Sequence, residues 1–450
     1  MDRDFILRRS APVPRYTSYP TAPHFHAGVG EAAYAQWLGN VPQDARLSLY
    51  LHIPFCDRLC WFCGCHTKQT RRYDPVEAYI QALTAEIATV GRHLGGRGQV
   101  SAVHFGGGSP TLMSSKDMKR VNEALKSAFS FIDSPEISVE IDPNDMDDDR
   151  YDGLKAIGLT RASLGVQDFD PKVQAAINRL QSFEETKAVV ERVRELGVHS
   201  VNLDMLYGLP HQTEDSVAAT ARQVLSLRPD RIALFGYAHV PWMKKHQTMI
   251  AETDLPDTAE RFAQSVLAAR LIAEAGYQAI GIDHFALPDD SLAVAARDGT
   301  MRRNFQGYTD DSAEFLIGMG ASSIGQTPMG HVQNMPATAE YERLALAGRL
   351  PVVRGLELGG DDRLRGHVIE RLMCDFEFSR ADTAKAFGES AAAMIANEAD
   401  AFIAADPDGL LERHGEVYAV SPRGKPFVRA VAAHFDAYLT KGTARHSLAV

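Results

Sequence analysis

Residues 47–66 read LSLYLHIPFCDRLCWFCGCH and place thiols at Cys56, Cys60, Cys63 and Cys65. The first seven residues are mostly apolar, a strand over 47–53 that runs into a cysteine loop. Three thiolates at C-x3-C-x2-C can hold three irons of a cubane and leave the fourth iron open to an outside ligand. A structural zinc site wants four closed ligands, and Cys65 offers a fourth, although C-x2-C-x-C crowds its sulfurs. On the residues alone, an iron–sulfur cluster on Cys56, Cys60 and Cys63 and a closed zinc site both stand open. Trp61 and Phe62 would screen a cluster from water, and they fit ordinary core packing equally well.

Outward from this loop, strand and helix alternate. Asp74-Pro75 opens a helix by cap and first-turn chemistry, with apolar residues at Val76, Tyr79, Ile80, Leu83 and Ile87. Strands follow at 100–105, 137–142, 161–167, 200–208 and 231–238, with helical segments between them such as 183–196 and 213–226. Six βα units in a row imply an α/β chain built on a partial (β/α)6 barrel with right-handed crossovers. Glu140, Gln167, Asp204 and Tyr237 fall at or near strand C-termini, the rim on which such barrels build active sites. A helix is expected over 257–276 and a strand over 277–283. After about residue 335 helical patterns dominate (338–349, 361–376, 391–404), followed by a hairpin over 410–421 and a last helix over 422–439. The expected organisation is an N-terminal arm (1–46) packed on the barrel, the barrel and its extension (47–335), and a smaller, mainly helical C-terminal domain (336–450).

The 450 residues are 45% apolar and 23% charged, ample for a packed core without disulfides. A net charge of −11 argues against a general nucleic-acid or anionic-membrane binder, while leaving room for a local basic pocket. No run of about 18 apolar residues suggests a membrane span, and MDRDFILRRSAPVP has no apolar core of a signal peptide. Four of five cysteines within ten residues, in a chain with no secretory signal, point to a metal or redox site and to the cytoplasm. Cys374, in a helical pattern, is simplest as a small buried apolar residue.

The C-x3-C-x2-C spacing after a first barrel strand, with Gly106-Gly107-Gly108 after the next, resembles the radical S-adenosylmethionine (SAM) superfamily. YLHIPFCDRLCWFCGCH, HFGGGSPTLM, EIDPND, LGVQDFD, INRLQS, NLDMLYGLP and RNFQGYT together resemble oxygen-independent coproporphyrinogen III oxidases, from about Pro14 through Gly325 and on towards the end. The resemblance implies a [4Fe–4S] cluster on Cys56, Cys60 and Cys63, and SAM on the open iron. It implies oxidative decarboxylation of two propionates of coproporphyrinogen III to vinyl groups by a 5′-deoxyadenosyl radical, giving protoporphyrinogen IX in haem biosynthesis. An unactivated C–H bond resists acid–base catalysis, so a carbon radical suits the task. Related haem chaperones usually lack the fourth cysteine, the RNFQGY segment and the PRYTSYPT arm, all of which stand in this chain. A haem-binding protein, another radical SAM enzyme and a zinc-stabilised α/β protein are the rival readings.

By the same resemblance Gly107, Gly108 and Ser109 contact SAM, with Ser109 keeping the hydroxyl of the Thr frequent there. Glu140 contacts SAM, Gln167 and Asp204 suit ribose hydroxyls, and Arg179 suits the SAM carboxylate bidentately. Without the resemblance these are strand-end hydrogen bonds, a cap or a surface ion pair. Tyr50, Phe62, Ala238 and Ile324 match positions lining the SAM sites, and Phe305 and Gln306 a segment reaching towards them. Otherwise, Tyr50, Phe62, Ala238 and Ile324 would simply be core. Cys65 is held as a functional residue beyond the cluster ligands, with no catalytic residue assigned outside the cluster and SAM sites. His52 and His239 are taken as structural. A substrate with four carboxylates calls for cations, and Arg15, Arg302 and Arg303 are the candidates. An electron donor such as flavodoxin or ferredoxin, an unidentified electron acceptor and a monomeric state complete the expectation.

Overall fold

Leu47, Leu49, Leu51 and Ile53 are fully buried, and Ser48 and His52 nearly so, so the first strand is covered on both faces. That is the environment of a central parallel strand. The computed structural model describes residues 1–10 and 12–439. Six βα units follow one another: β1 (Arg46–Ile53), α1 (Asp74–Leu94), β2 (Gln99–Gly107), α2 (Ser115–Ala128), β3 (Phe131–Ile141), α3 (Asp148–Ile157), β4 (Arg161–Gln167), α4 (Phe183–Glu195), β5 (Ser200–Tyr207), α5 (Glu214–Ser226), β6 (Arg231–Gly236) and α6 (Thr258–Glu274). Neighbouring strands from β1 to β6 pair in parallel.

Local chemistry sets the helix starts. Pro75 sits in the first turn of α1, and capping boxes at Ser182/Glu185 and Asp257/Glu260 open α4 and α6.

The chain then adds β7 (Gln278–Ile280), β8 (His284–Ala286), β9 (Phe315–Met319), β10 (Ile324–Thr327), β11 (Gly330–Asn334), α7 (Thr338–Leu346) and β12 (Val352–Glu357). The 12-stranded sheet runs in the order β12-β11-β10-β9-β1-β2-β3-β4-β5-β6-β8-β7, so β6 never returns to β1 and the barrel stays open. The strand expected over 277–283 is cut short at Ile280, where Gly281 (φ 55°) turns the chain into an antiparallel hairpin with β8.

The sheet also runs past residue 335. β12 pairs with β11, and Tyr341 and Ala345 of α7 join the main core. The mainly helical unit starts at α8 (Gly360–Asp375) and continues with α9 (Arg380–Phe387), α10 (Glu389–Ala405), a hairpin (Leu411–His414 and Val417–Val420) and α11 (Val428–His434). The helix expected over 422–439 is reduced to α11 and a short 3-10 turn; a helix started at 422 would need an N–H at Pro426 to bond back one turn, and proline has none. Residues 440–450 of the expected C-terminal domain lie outside the described residues.

The N-terminal segment is divided between two cores. Tyr34, Trp37 and Leu38 pack on the barrel, whereas Phe5, Ile6, Tyr16 and Tyr19 enter the core of the C-terminal helices.

Candidate active site

The cysteine loop is held from three sides by hydrogen bonds, on two of them to its backbone. Trp61 N–H donates to Ile177 O (2.9 Å) and Asn178 Nδ2 to Leu59 O (2.9 Å), from the segment after β4. Gln247 Nε2 donates to Phe62 O (2.9 Å), His246 Nε2 to Cys63 O (2.7 Å) and Lys244 Nζ to Cys65 O (2.8 Å), from the segment after β6. His66 Nε2 donates to Pro336 O at 2.8 Å. A loop gripped this way keeps its thiols where they are without disulfides, and all five cysteines are free.

Cys56 Sγ lies 3.0 Å from Thr67 Oγ1, Cys60 Sγ accepts from Arg179 Nη1 (3.7 Å), and Cys63 Sγ accepts from the Cys65 N–H (3.4 Å). Burial, with negative charge on Cys63 and Cys60 adding to it, pushes the Cys56 thiol up to about 12. The Cys65 thiol's hydrogen bond holds Cys63 down, to about 7. The thiols therefore sense one another. Among the described residues, no three His, Cys, Asp or Glu side chains converge on one point as a mononuclear metal requires. A cubane takes one thiolate per iron, so the donor set of this loop fits such a cluster. Trp61 and Phe62 pack with the apolar group of Val173, Ile177, Leu206 and Tyr237 and wall the loop on one side.

Beside the loop, β2 ends in the glycine run. A Cβ on Gly106 would stand 2.8 Å from a Glu140 carboxylate oxygen, and one on Gly107 (φ 114°) 2.6 Å from His52. Side chains are excluded there by close approach. The N–H groups from Gly107 to Ser109 are engaged: Gly107 with Glu140 (2.9 Å), Gly108 with Ile53 O (2.8 Å) and Ser109 with Phe55 O (2.7 Å). What it has left for a ligand is acceptors. The Ser109 hydroxyl donates to Asp145.

His52 donates from Nε2 to His66 O (2.8 Å), because a carbonyl only accepts, so its Nδ1 accepts from Tyr50 OH (3.0 Å). Burial drives its pKa down to about 4, so it stays neutral. Tyr50 stacks on His104, and His104 Nε2 meets Glu140 at 3.2 Å. Burial pushes Glu140 up, but the His104 and Gly107 contacts outweigh it and hold the carboxylate below its usual range.

Arg179 reaches the loop from the segment after β4, donating to Asp142 (3.0 Å) and Gly165 O (2.7 Å). Its buried Nε has no partner among the described residues. Gln167 ends β4 with φ 67°, a strained backbone for a non-glycine residue. Asp204, on β5, accepts from Asn202 Nδ2 (2.7 Å) and is raised to about 6 by burial. Ile324 lies across Gly318 from Tyr50.

A cavity of about 1660 Å³ opens beyond this rim, above the 300–1,000 Å³ typical of small-molecule pockets. Cys65, Ala238, His239, Phe305 and Gln306 line it, and so do Arg15 and Arg303. Arg302 does not. It neighbours Arg303 on a short strand, points the other way, and pairs with Glu370 at 2.9 Å. The structure thus corrects Arg302 as a cavity cation and adds Arg261, Arg429, Tyr207 and Asp283, none of which the sequence singled out. Arg261 and Arg429 sit in helical patterns that look like exposed faces or core, so no local signal marks them.

The Radical SAM superfamily model matches residues 50–224. The chain is 48% identical to oxygen-independent coproporphyrinogen III oxidase of Bradyrhizobium diazoefficiens, over 97% of each chain. It is 39% identical to the enzyme of that name from Escherichia coli K12, over 95% of this chain and 93% of the other. The solved structure of coproporphyrinogen III oxidase (HemN) from Escherichia coli, described as a radical SAM enzyme, superposes with a TM-score of 0.91 at 37% identity, covering 98% of this chain and 100% of the other. The chain belongs to the oxygen-independent coproporphyrinogen III oxidase family. The family's radical SAM domain accounts for the open sheet of parallel strands and for the cysteine loop at the C-terminal end of β1. Among the described residues, no helix is long and apolar enough to cross a membrane.

Proposed function

We propose that this chain carries out the oxidative decarboxylation of two propionates of coproporphyrinogen III, giving the two vinyl groups of protoporphyrinogen IX, with SAM and a [4Fe–4S] cluster. The observation that carries this reading is the meeting of the gripped cysteine loop with a large, arginine-bearing cavity at Cys65, in a chain similar along its whole length to oxidases of that name. When bound, cluster and SAM supply one-electron cleavage of a sulfonium and abstraction of hydrogen from an unactivated C–H bond.

Cys56, Cys60 and Cys63 are the proposed cluster ligands. Acceptors of the Gly107–Ser109 run and the Glu140 carboxylate suit the SAM ammonium, and the charged Arg179, with its unpartnered Nε, suits the SAM carboxylate. Gln167 and Asp204 are assigned to ribose hydroxyls. Tyr50, Phe62, Ala238 and Ile324 supply apolar cover, and Trp61 and Phe62 exclude water. Phe305, Gln306 and Cys65 face the substrate side of the cavity. A one-electron protein such as flavodoxin or ferredoxin is the proposed donor to a monomeric, cytoplasmic enzyme. We also read the helices from Gly360 onward, with their separate core, as a distinct C-terminal domain.

The test is anaerobic turnover of cluster-loaded protein with SAM, a one-electron reductant and coproporphyrinogen III, reading porphyrins and 5′-deoxyadenosine by chromatography. Both products are expected together, and both are expected to vanish in Cys60→Ala. SAM cleavage with no decarboxylated porphyrin would remove the substrate assignment.

A further inference from the structure

Four arginines from four separate segments line the cavity and meet one another. Arg15 comes from the N-terminal arm, Arg261 from α6, Arg303 from the short strand Arg302–Asn304 and Arg429 from α11. Arg15 donates to Gly236 O (3.3 Å), at the end of β6, and Arg261 to Tyr237 O (2.7 Å), just beyond it. Arg303 donates to Tyr16 O (3.2 Å) and Arg429 to Pro14 O (3.0 Å), so these two hold the arm that presents Arg15.

The group is short of negative charge. Asp283, itself bonded to His284 Nδ1 at 2.6 Å, is the carboxylate that acts on Arg303 and Arg429. Burial and the neighbouring Arg15 lower the pKa of Arg261, and burial, Arg15 and Arg303 lower that of Arg429 to about 10. Among the described residues, the buried Nε of Arg261 and Nη1 of Arg303 have no hydrogen-bond partner, although Arg303 is only 9% exposed. Buried N–H groups without partners, in a crowd of like charge, cost free energy that an anion would recover. Guanidinium forks match carboxylates in shape as well as charge.

We propose that Arg15, Arg261, Arg303 and Arg429 form a carboxylate pocket that takes propionate groups of the tetra-acid substrate. The assignment rests on the porphyrinogen reading above and names where that substrate's acidic edge lies. Because the arginines belong to the arm, the barrel and the C-terminal domain, a bound carboxylate ties the three together. Turnover removes two of the four carboxylates, so the pocket holds substrate more tightly than product.

The test uses cluster-loaded enzyme titrated anaerobically with coproporphyrin III, its tetramethyl ester and protoporphyrin IX, following porphyrin fluorescence. Arg15→Gln and Arg261→Gln are the informative variants, since Arg303 and Arg429 also hold the arm. Iron and sulfide content reports that each variant has folded around its cluster. Each variant should raise the Kd for coproporphyrin III about tenfold and leave that of the ester unchanged, as expected for loss of one charged hydrogen-bonding partner. An equal loss for acid and ester, or no loss, overturns the proposal. Vinyl formation from coproporphyrinogen III is read separately. If the carboxylate-dependent losses appear but vinyl products do not, the pocket stands and the reaction assignment falls. If neither appears, both fall.

Discussion

Gly107→Ala tests whether the glycine run is required by local geometry. Two costs follow from the structure. The residue has φ 114°, where a side chain is strained by about 1–3 kcal/mol. Its Cβ would also lie 2.6 Å from the His52 ring, and that ring cannot step aside freely, being bonded to Tyr50 OH at 3.0 Å and to His66 O at 2.8 Å. Breaking those two bonds costs about 1 kcal/mol each, for a total of about 3–5 kcal/mol. In a His52→Ala background the ring is gone and only the backbone cost remains. Urea unfolding of the apoprotein in the four members of this double-mutant cycle should therefore give a coupling of about 2 kcal/mol, with Gly107→Ala milder in the His52→Ala background. Iron content should follow the same order, because His52 lies at the entry to the cysteine loop. The reasoning is refuted if Gly107→Ala costs the same in both backgrounds, since the collision with His52 would then play no part.

Further outcomes are expected elsewhere. Arg179→Lys keeps the charge but loses the planar fork that bonds Asp142 and Gly165 O at once, so SAM affinity measured by equilibrium dialysis should fall about tenfold, and an unchanged Kd would remove Arg179 from the SAM site. Cys65→Ala should keep the iron and sulfide of the wild type while Cys60→Ala loses them; equal loss in both would make Cys65 a ligand. Glu86 of α1 is buried, accepts from Tyr341 OH (2.6 Å), Gly320 N–H (2.8 Å) and Asn334 Nδ2 (2.6 Å), and burial pushes it up to about 7. Between about pH 4.5 and 7 the unfolded chain releases this proton while the folded chain keeps it, so stability falls as pH rises, by roughly 3 kcal/mol. Glu86→Gln cannot titrate, and the difference between its urea stability curve and that of the wild type should change by that amount across the window; parallel curves would show that Glu86 has an ordinary pKa.

What the sequence made legible was local. Strands β1, β2, β4, β5 and β6 stand within two residues of their expected places because each is an apolar run bounded by turn chemistry, as at Arg161–Gln167, where the bounds coincide, whereas β3 starts at Phe131, ahead of the expected 137. The cysteine loop was legible because a few residues supply all of its thiols. The grip on that loop was not, since His246, Gln247 and Asn178 act through side chains that meet Leu59–Cys63 only after the barrel has formed. The last strand was not legible for a related reason: β12 pairs with β11 across the helix α7, and a helical pattern between two strands hides that they share a sheet. Arg302 and Arg303 show the limit at its sharpest. Adjacent residues on a strand face opposite ways, and only tertiary context decides that Arg303 turns to the cavity while Arg302 turns to Glu370.

The charge of the chain is sorted along one line, and that sorting orders its ligands. The rim beside the cysteine loop carries partly buried carboxylates at Glu140, Asp142 and Asp204, with Arg179 and Arg58 both pairing with Asp142. The cavity carries Arg15, Arg261, Arg303 and Arg429, with Asp283 beside them. A net charge of −11 cannot produce a basic pocket by accident of composition, because scattered arginines in an acidic protein find carboxylates nearby. A sulfonium cofactor with one ammonium and one carboxylate suits the mixed rim and is repelled from the arginines. A tetra-acid suits the arginines and is repelled from Glu140 and Asp204. On the proposed assignment the cofactor at the rim and the substrate in the cavity beyond it do not compete, and Cys65, which lines that cavity, is where the cysteine loop meets the substrate side.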